Sequence, residues 1–228
     1  TGVDVTSWGH DLPDNPPLGR LVHAVLDRFP ELQRLRMSSL DGIEIDEELC
    51  DLFASEQRLM PHLHLSLQHG HDLMLKRMKR RHLRRDAIDL VTRLRDARPE
   101  LAIGADLIAG FPTETEEHHR ANLAIVEELE IVHGHIFPYS PRPETPAARM
   151  PQIDRVIVKQ RAAELRNAVA SVRKPWLQSL LGKPISVLAE RDGTGYAENF
   201  ARVALPQGTE PGQILTITPT AIEGNLLV

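Results

Sequence analysis

Helix-type and strand-type patterns alternate between Leu18 and Phe137, and this order constrains the fold more than any other feature of the sequence. Strands that alternate with helices are typical of parallel βα units. The predicted strands cover residues 35–39, 62–68, 103–110 and 131–137. The predicted helices cover residues 18–29, a segment capped by Asp46, a segment around residues 87–94, and about residues 113–130. The sequence therefore predicts an α/β fold whose parallel sheet is either open or closed into a barrel.

Strict alternation marks the strand at residues 62–68, HLHLSLQ. Successive side chains of a strand point to opposite faces, so one face is wholly leucine and the other wholly polar. In a barrel the leucines would face the outer helices, and His62, His64, Ser66 and Gln68 would face the centre. We interpret a polar barrel centre as a site that holds a ligand.

The alternating pattern of helices and strands ends before residue 150. A proline-rich loop at residues 140–146 precedes a long helix with one apolar seam, which includes Val158, Leu165 and Val172. Short strand patterns separated by Asp-Gly and Pro-Gly turns follow from Pro184. We divide the chain into residues 1–150, the parallel domain; residues 151–182, the connecting helix; and residues 183–228, a small β-barrel.

The composition of the sequence and the motifs it lacks exclude several classes of protein. The 228 residues carry a net charge of -5 and a single cysteine, Cys50. One cysteine excludes an internal disulfide and a cysteine-held cluster within this sequence, and it fits a reducing cytoplasm. Cys50 itself reads as a core residue. The sequence lacks a Walker loop, a GxGxxG turn and a GxSxG elbow, and no apolar run approaches the length of a membrane span.

The segment DLIAGFPTETEE, residues 106–117, has two interpretations. Asp106 and Gly110 share one face at a strand end, where α/β proteins bind ligands. Alternatively, Thr113 and Glu116 form a capping box and Glu114 lies in the first turn of a helix. The segment alone does not decide between a cofactor turn and a capped structural turn.

Histidines and basic residues cluster after the strand at residues 62–68. Metal binding by His62, His64, His69 and His71 is disfavoured, because Gly70 breaks the shared face, and no metal ligand is predicted. The basic run at residues 76–85 is either a solvated helix face or a phosphate-binding surface.

Five stretches, in this order, resemble the radical S-adenosylmethionine methylthiotransferases, most closely the branch that modifies threonylcarbamoyladenosine beside the tRNA anticodon. The stretches are TGVDVTSWGHDL, RMSSLDGIEIDEEL, PHLHLSLQHGHDLMLKRMKR, GADLIAGFPTETEE and HIFPYSPRPETPAARMPQ. A later stretch, ERDGTGYAENFARV, resembles the RNA-binding TRAM domain of these enzymes. The resemblance implies a partial parallel (β/α) barrel of the radical SAM type followed by a small all-β, OB-like TRAM barrel.

The resemblance also implies site residues. For S-adenosylmethionine they are Gly2, Val3, Asp4, Ser66, Gln68, Arg80, Asp106, Gly110, Glu114, Phe137 and Tyr139. For RNA they are the basic residues Lys76, Arg77, Lys79, Arg81, Arg84 and Arg85, with Tyr196, Asn199 and Phe200 added from stacking chemistry. Arg80 is expected to pair with the carboxylate of the cofactor.

The implied reaction is insertion of a methylthio group on the adenine of threonylcarbamoyladenosine, with tRNA bound through its anticodon stem-loop. The intact family protein uses S-adenosylmethionine and two 4Fe-4S clusters. This sequence lacks the family's Cys-x-x-x-Cys-x-x-Cys loop, and residues 1–5 read like the end of a strand, so we expect a fragment that is inactive alone. Two alternatives stay open, a non-catalytic RNA-binding module and a methylthiotransferase that acts on a ribosomal protein. Neither DNA nor a membrane is an expected partner, and the sulfur donor is not identified.

Overall fold

The first part of the chain is a parallel sheet with helices packed on one face. The computed structural model describes residue 5 and residues 7–228, so the strand end expected at residues 1–5, with Gly2, Val3 and Asp4, lies outside the described residues except for Val5. The strands are β1 (His62–Gln68), β2 (Ala102–Ala109) and β3 (Ile131–Pro138). The helices are α1 (Leu18–Arg28), α2 (Glu47–Ser55), α3 (Asp72–Arg77), α4 (Arg84–Ala97), α5 (Glu116–Glu128) and α6 (Arg155–Ser179).

The strands run parallel in the order β1-β2-β3, which confirms the predicted parallel βα arrangement. Residues 35–40 make two isolated parallel bridges, Leu35 with Leu59 and Leu40 with Leu65 of β1, so the strand expected there is not continuous. The described residues form an open sheet. Its leucine face packs under the helices as predicted, with Leu63, Leu65 and Leu67 at most 2% exposed.

Four helices, α2, α3, α5 and α6, begin at a residue whose side chain accepts a capping hydrogen bond, and the cap of α5 differs from the prediction. Asp46 caps α2 as expected, because its carboxylate accepts a hydrogen bond from Leu49 N at 2.9 Å. The capping box predicted at Thr113 and Glu116 is wrong. The box is formed two residues later by Thr115 and His118, which exchange hydrogen bonds of 3.3 and 3.1 Å. Thr113 has a φ of +67°, which an N-cap residue in extended conformation does not adopt.

The C-terminal part is a separate six-stranded sheet. Its strands are β4 (Ile185–Ala189), β5 (Thr194–Ala197), β6 (Arg202–Ala204), β7 (Ile214–Ile217), β8 (Ile222–Glu223) and β9 (Leu226–Leu227). Their order in the sheet is β7-β4-β5-β6-β9-β8. Between β5 and β6 the chain makes a turn in which Phe200 has a φ of +69°. No helix in the described ranges is long and apolar enough to cross a membrane.

Helix α6 joins the two parts. Its buried residues Val158, Ala162, Leu165 and Val169 pack into the core of the parallel domain, as the predicted seam requires. Near its C-terminus, Leu177 belongs instead to the core of the second sheet. Helix α6 therefore contributes residues to the hydrophobic cores of both sheets.

Candidate functional site

Three strands present polar side chains on the sheet face opposite the helices, which we call the polar face. It comprises His62, His64, Ser66 and Gln68 of β1, Gly104, Asp106 and Ile108 of β2, and His133, His135 and Phe137 of β3. The register pairs His64 with Gly104 and Asp106 with His135. The polar side predicted for β1 therefore continues onto β2 at Asp106 and onto β3 at His133 and His135.

The second domain covers the end of the polar face where the strands begin. The Phe200 ring lies 4.7 Å from the His62 ring and 5.5 Å from the His133 ring, and Trp176 lies 5.2 Å from His133. Burial lowers the pKa of His62 to about 2 and that of His133 to about 3. Both imidazoles are therefore neutral at physiological pH.

The residues expected to contact RNA, Tyr196, Asn199 and Phe200, lie in this contact between the domains. Phe200 stacks on Tyr196 at 4.5 Å and lies under the Arg36 guanidinium, so its faces are already occupied by protein groups. Asn199 is 9% exposed, and its side-chain oxygen accepts a hydrogen bond from Ala201 N. Phe200 thus forms part of the contact between the domains, and Asn199 stabilises the turn before β6. Tyr196 is half-buried beside them.

A compact cluster occupies the middle of the polar face. His64 Nε2 lies 3.0 Å from Asp106 Oδ1, and His135 Nδ1 lies 3.1 Å from the same oxygen. Burial alone would raise the pKa of Asp106, but hydrogen bonds with His64 and His135 hold it below its ordinary value. The sequence reasoning missed His135. The signal for it was the two-residue spacing of His133 and His135 on the strand after β2.

Several predicted cofactor residues lie at or near the carboxyl ends of the three strands. Arg80 donates hydrogen bonds of 3.3 Å to the Ser66 carbonyl and to Asp41, which places its guanidinium beside the end of β1. Gln68 closes β1 with a φ of +67°. Tyr139 follows β3, and its hydroxyl is buried without a hydrogen-bond partner among the described residues. Phe137 lies nearby on β3 with half of its surface exposed.

Glu114 and Gly110 have internal roles instead of facing open space. The Glu114 carboxylate accepts hydrogen bonds from Gly110 N at 2.9 Å and Phe111 N at 3.2 Å, and it pairs with Arg161 at 3.1 Å. A Cβ at Gly110 would lie 2.5 Å from Val158 Cγ2. The room beside this glycine is taken by α6.

The basic run is largely paired within the protein. Four ion pairs involve its arginines: Arg80 with Asp41, Arg81 with Glu44, Arg84 with Glu128, and Arg85 with Asp89. Arg77 donates a 2.6 Å hydrogen bond to Thr113 Oγ1. Lys76 and Lys79 have exposed side chains. Since exposed pairs are weak, the run still presents positive charge, chiefly at the two lysines.

Residues 2–124 match the family model described as the Radical SAM superfamily, and this match covers just over half of the 228 residues. The matched region contains β1, β2, the strand-end residues Ser66 and Gln68, and the carboxylate of the central cluster. The chain belongs to the radical SAM superfamily. The resemblance drawn from its sequence motifs is confirmed at this level.

Relatives within the radical SAM superfamily extend over both domains. The chain is 44% identical over 223 residues to the threonylcarbamoyladenosine tRNA methylthiotransferase MtaB of Rickettsia prowazekii, which is 98% of this chain and 53% of that protein. It is 34% identical over 194 residues to a tRNA-2-methylthio-N(6)-dimethylallyladenosine synthase of Paracoccus denitrificans, covering 84% of this chain and 43% of that protein. The chain spans about half the length of the curated relatives it matches. A solved radical S-adenosylmethionine methyltransferase from Kitasatospora setae is 20% identical with a TM-score of 0.47, over 57% of this chain and 26% of that one.

Proposed function

We propose that this chain forms part of a tRNA methylthiotransferase that modifies the adenine of threonylcarbamoyladenosine. The observation that carries the proposal is the 44% identity to the Rickettsia enzyme over 98% of this chain, which includes the second sheet. In this proposal the parallel sheet is part of a radical SAM barrel, and residues 183–228 are a TRAM domain that contacts the anticodon stem-loop. The reaction takes place in the cytoplasm, where tRNA and a reducing environment are found.

S-adenosylmethionine fits the strand-end edge of the polar face by its chemistry. The cofactor carries a carboxylate, an amine, ribose hydroxyls and an adenine, which call for charged, hydrogen-bonding and aromatic partners together. Arg80, Ser66, Gln68 and the unpartnered hydroxyl of Tyr139 supply such groups. When bound, the cofactor would supply the methyl and radical chemistry, and the protein would orient it and exclude water. Gly110 and Glu114 would contribute by fixing the loop beside it.

A 4Fe-4S cluster does not fit the residues present. Such clusters are held by several cysteine thiolates, whereas Cys50 is the sole cysteine of the sequence and is 3% exposed in the core. Burial also raises the pKa of its thiol, which disfavours the thiolate. We expect that anaerobic iron-sulfide reconstitution of this chain yields no four-iron absorption band. A stable cluster with cleavage of S-adenosylmethionine would contradict this expectation.

The decisive experiment joins this chain to the N-terminal part of the Rickettsia relative, replacing the segment that aligns with it. The expected result is methylthio-threonylcarbamoyladenosine in tRNA from a deletion strain, detected by mass spectrometry. In this chimera Tyr139→Phe and Gln68→Ala should each lower the amount of product by at least about tenfold. Each change removes about one hydrogen bond to the cofactor, which corresponds to about a tenfold loss of affinity. Gln57→Ala, at an exposed turn before β1, is the matched control. A folded, cluster-loaded chimera without product would overturn the proposal.

Binding to RNA provides a second test. The chain should bind an anticodon stem-loop with an affinity that falls steeply as salt rises, because phosphate contacts release counterions. Replacing exposed Lys76 and Lys79 by Glu should flatten that dependence, whereas the same change at exposed Lys174 on α6, outside the basic run and the second domain, should not. A flat salt response, or preferential binding of a ribosomal protein, would favour the other methylthiotransferase branch.

A further inference from the structure

We propose that His64, Asp106 and His135 form a binding site for one divalent transition-metal ion on the polar face. Each side chain offers one ligand atom, and the three atoms lie within 4.8 Å of one another. The two imidazole nitrogens approach the same carboxylate oxygen, at 3.0 and 3.1 Å. This site is distinct from cysteine-held clusters, and it does not depend on the proposed reaction.

The spacing of the ligand atoms suits a metal. Bonds of about 2.0–2.2 Å from a zinc-like ion to nitrogen or oxygen place neighbouring ligands roughly 3.0–3.5 Å apart. The distances from Asp106 Oδ1 to the two imidazoles fall at the short end of this range. Two imidazoles and one carboxylate are donors that favour Zn²⁺, Co²⁺, Ni²⁺ or Fe²⁺, whereas Mg²⁺ and Ca²⁺ prefer oxygen ligands throughout.

The sheet holds the three ligands in place. They come from neighbouring strands, one each from β1, β2 and β3, and sites on strands are positioned more firmly than sites on loops. Gly104 is essential to this geometry, because a Cβ there would lie only 2.3 Å from His64 Nδ1. The glycine lets the His64 ring lie across β2 and reach Asp106.

Exposure differs across the cluster. The side chain of His64 is 8% exposed, that of Asp106 21%, and that of His135 64%. A metal here would have protein on one side and solvent on the other, so at least one coordination position would stay open. Open positions are typical of metal sites that bind water or a substrate group.

The test uses the metal alone. After removal of bound metals by a chelator, Zn²⁺ is titrated into the 228-residue chain by calorimetry, and Co²⁺ is followed by its visible absorption. We expect one ion per chain. Asp106→Asn and His135→Ala should each weaken binding by about 100-fold, at least as much as loss of an outer-shell partner costs. Because neither S-adenosylmethionine nor RNA is present, the result is independent of the proposed function.

Two controls make the test specific. His23 lies between Asp27 and Glu48 on an exposed helix surface, at 3.6 and 3.0 Å, and His23→Ala should leave the affinity unchanged. Gly104→Ala should weaken binding by displacing the His64 ring, and His135→Ala changes an exposed side chain that the fold does not require. Circular dichroism checks that each variant is folded. Absence of stoichiometric binding, or an equal loss in His23→Ala and His135→Ala, would overturn the metal site.

Discussion

At the scale of single residues, the buried Glu114 side chain makes several polar contacts that stabilise the loop between β2 and α5. It is 5% exposed, accepts two backbone hydrogen bonds and pairs with Arg161, which is itself 8% exposed. His69 Nε2 also lies 3.4 Å from the carboxylate, a long contact for a hydrogen bond. A buried charge in such a network stabilises the fold only while its partners are present.

We therefore expect Glu114→Gln to lower the free energy of unfolding by about 3 kcal/mol, since it leaves the buried Arg161 charge without its main partner. Glu116 offers a matched control, because it faces the same guanidinium at 3.6 Å but is 68% exposed. Glu116→Gln should cost less than about 1 kcal/mol. Urea denaturation measures both values, and equal effects would contradict the internal role of Glu114.

The contribution of the Glu114 carboxylate to stability should also depend on pH. Burial alone would raise the pKa of Glu114, but His69 and Arg161 hold it below its ordinary value of 4.5. A carboxyl group with a depressed pKa in the folded state adds stability above pH 4.5, and that stability is lost as pH falls through the folded pKa. The stability difference between the native chain and Glu114→Gln should thus shrink below pH 4.5. Unfolding curves between pH 3 and 7 check this, and a constant difference would count against it.

At the scale of elements, the turn after β2 is set by the approach of α6. Gly110 has a φ of +72°, and its missing side chain leaves space for Val158. Glycine therefore meets two demands at this position, a left-handed backbone and close packing of a helix.

Gly110→Ala should lower the free energy of unfolding by about 2–4 kcal/mol, the sum of backbone strain and overpacking. Gly193 is the control, since its φ is +74° but a Cβ there would meet no atom within 4 Å. Gly193→Ala should cost only the strain, about 1 kcal/mol. Adding Val158→Ala to Gly110→Ala should recover part of the loss in denaturation experiments. Equal costs at the two glycines would show that α6 does not press on the turn.

At the scale of the whole molecule, Phe200 and two arginines hold the second domain on the first. Phe200 contacts His62 and His133, while Arg36 donates to Ala197 O at 3.1 Å and Arg34 to Ser186 Oγ at 2.5 Å. Burial lowers the pKa of Arg36 to about 10, so the guanidinium is still charged at neutral pH. The covered end of the polar face depends on these contacts.

Phe200→Ala should therefore loosen the domains, at a cost of about 2 kcal/mol, less than the loss of a fully buried aromatic ring. The pKa of His62 should rise from about 2 toward 6.5 as the ring gains water, which NMR titration can follow. Phe29→Ala, at a ring that is 55% exposed, is the control and should change neither quantity. A His62 pKa that stays near 2 in Phe200→Ala would show that Phe200 does not bury it.

The sequence by itself determined the alternation of strands and helices from β1 to β3, the bounds of β1 and the separation of its leucine and polar faces, because periodicity reports on local backbone and on burial. It also supplied the family motifs. Only the tertiary structure decided that His135 joins His64 and Asp106, that Val158 fills the space at Gly110, and that Phe200 covers His62. These contacts link residues far apart in the chain. They follow from strand register and from the packing of one domain on another, which no local pattern specifies.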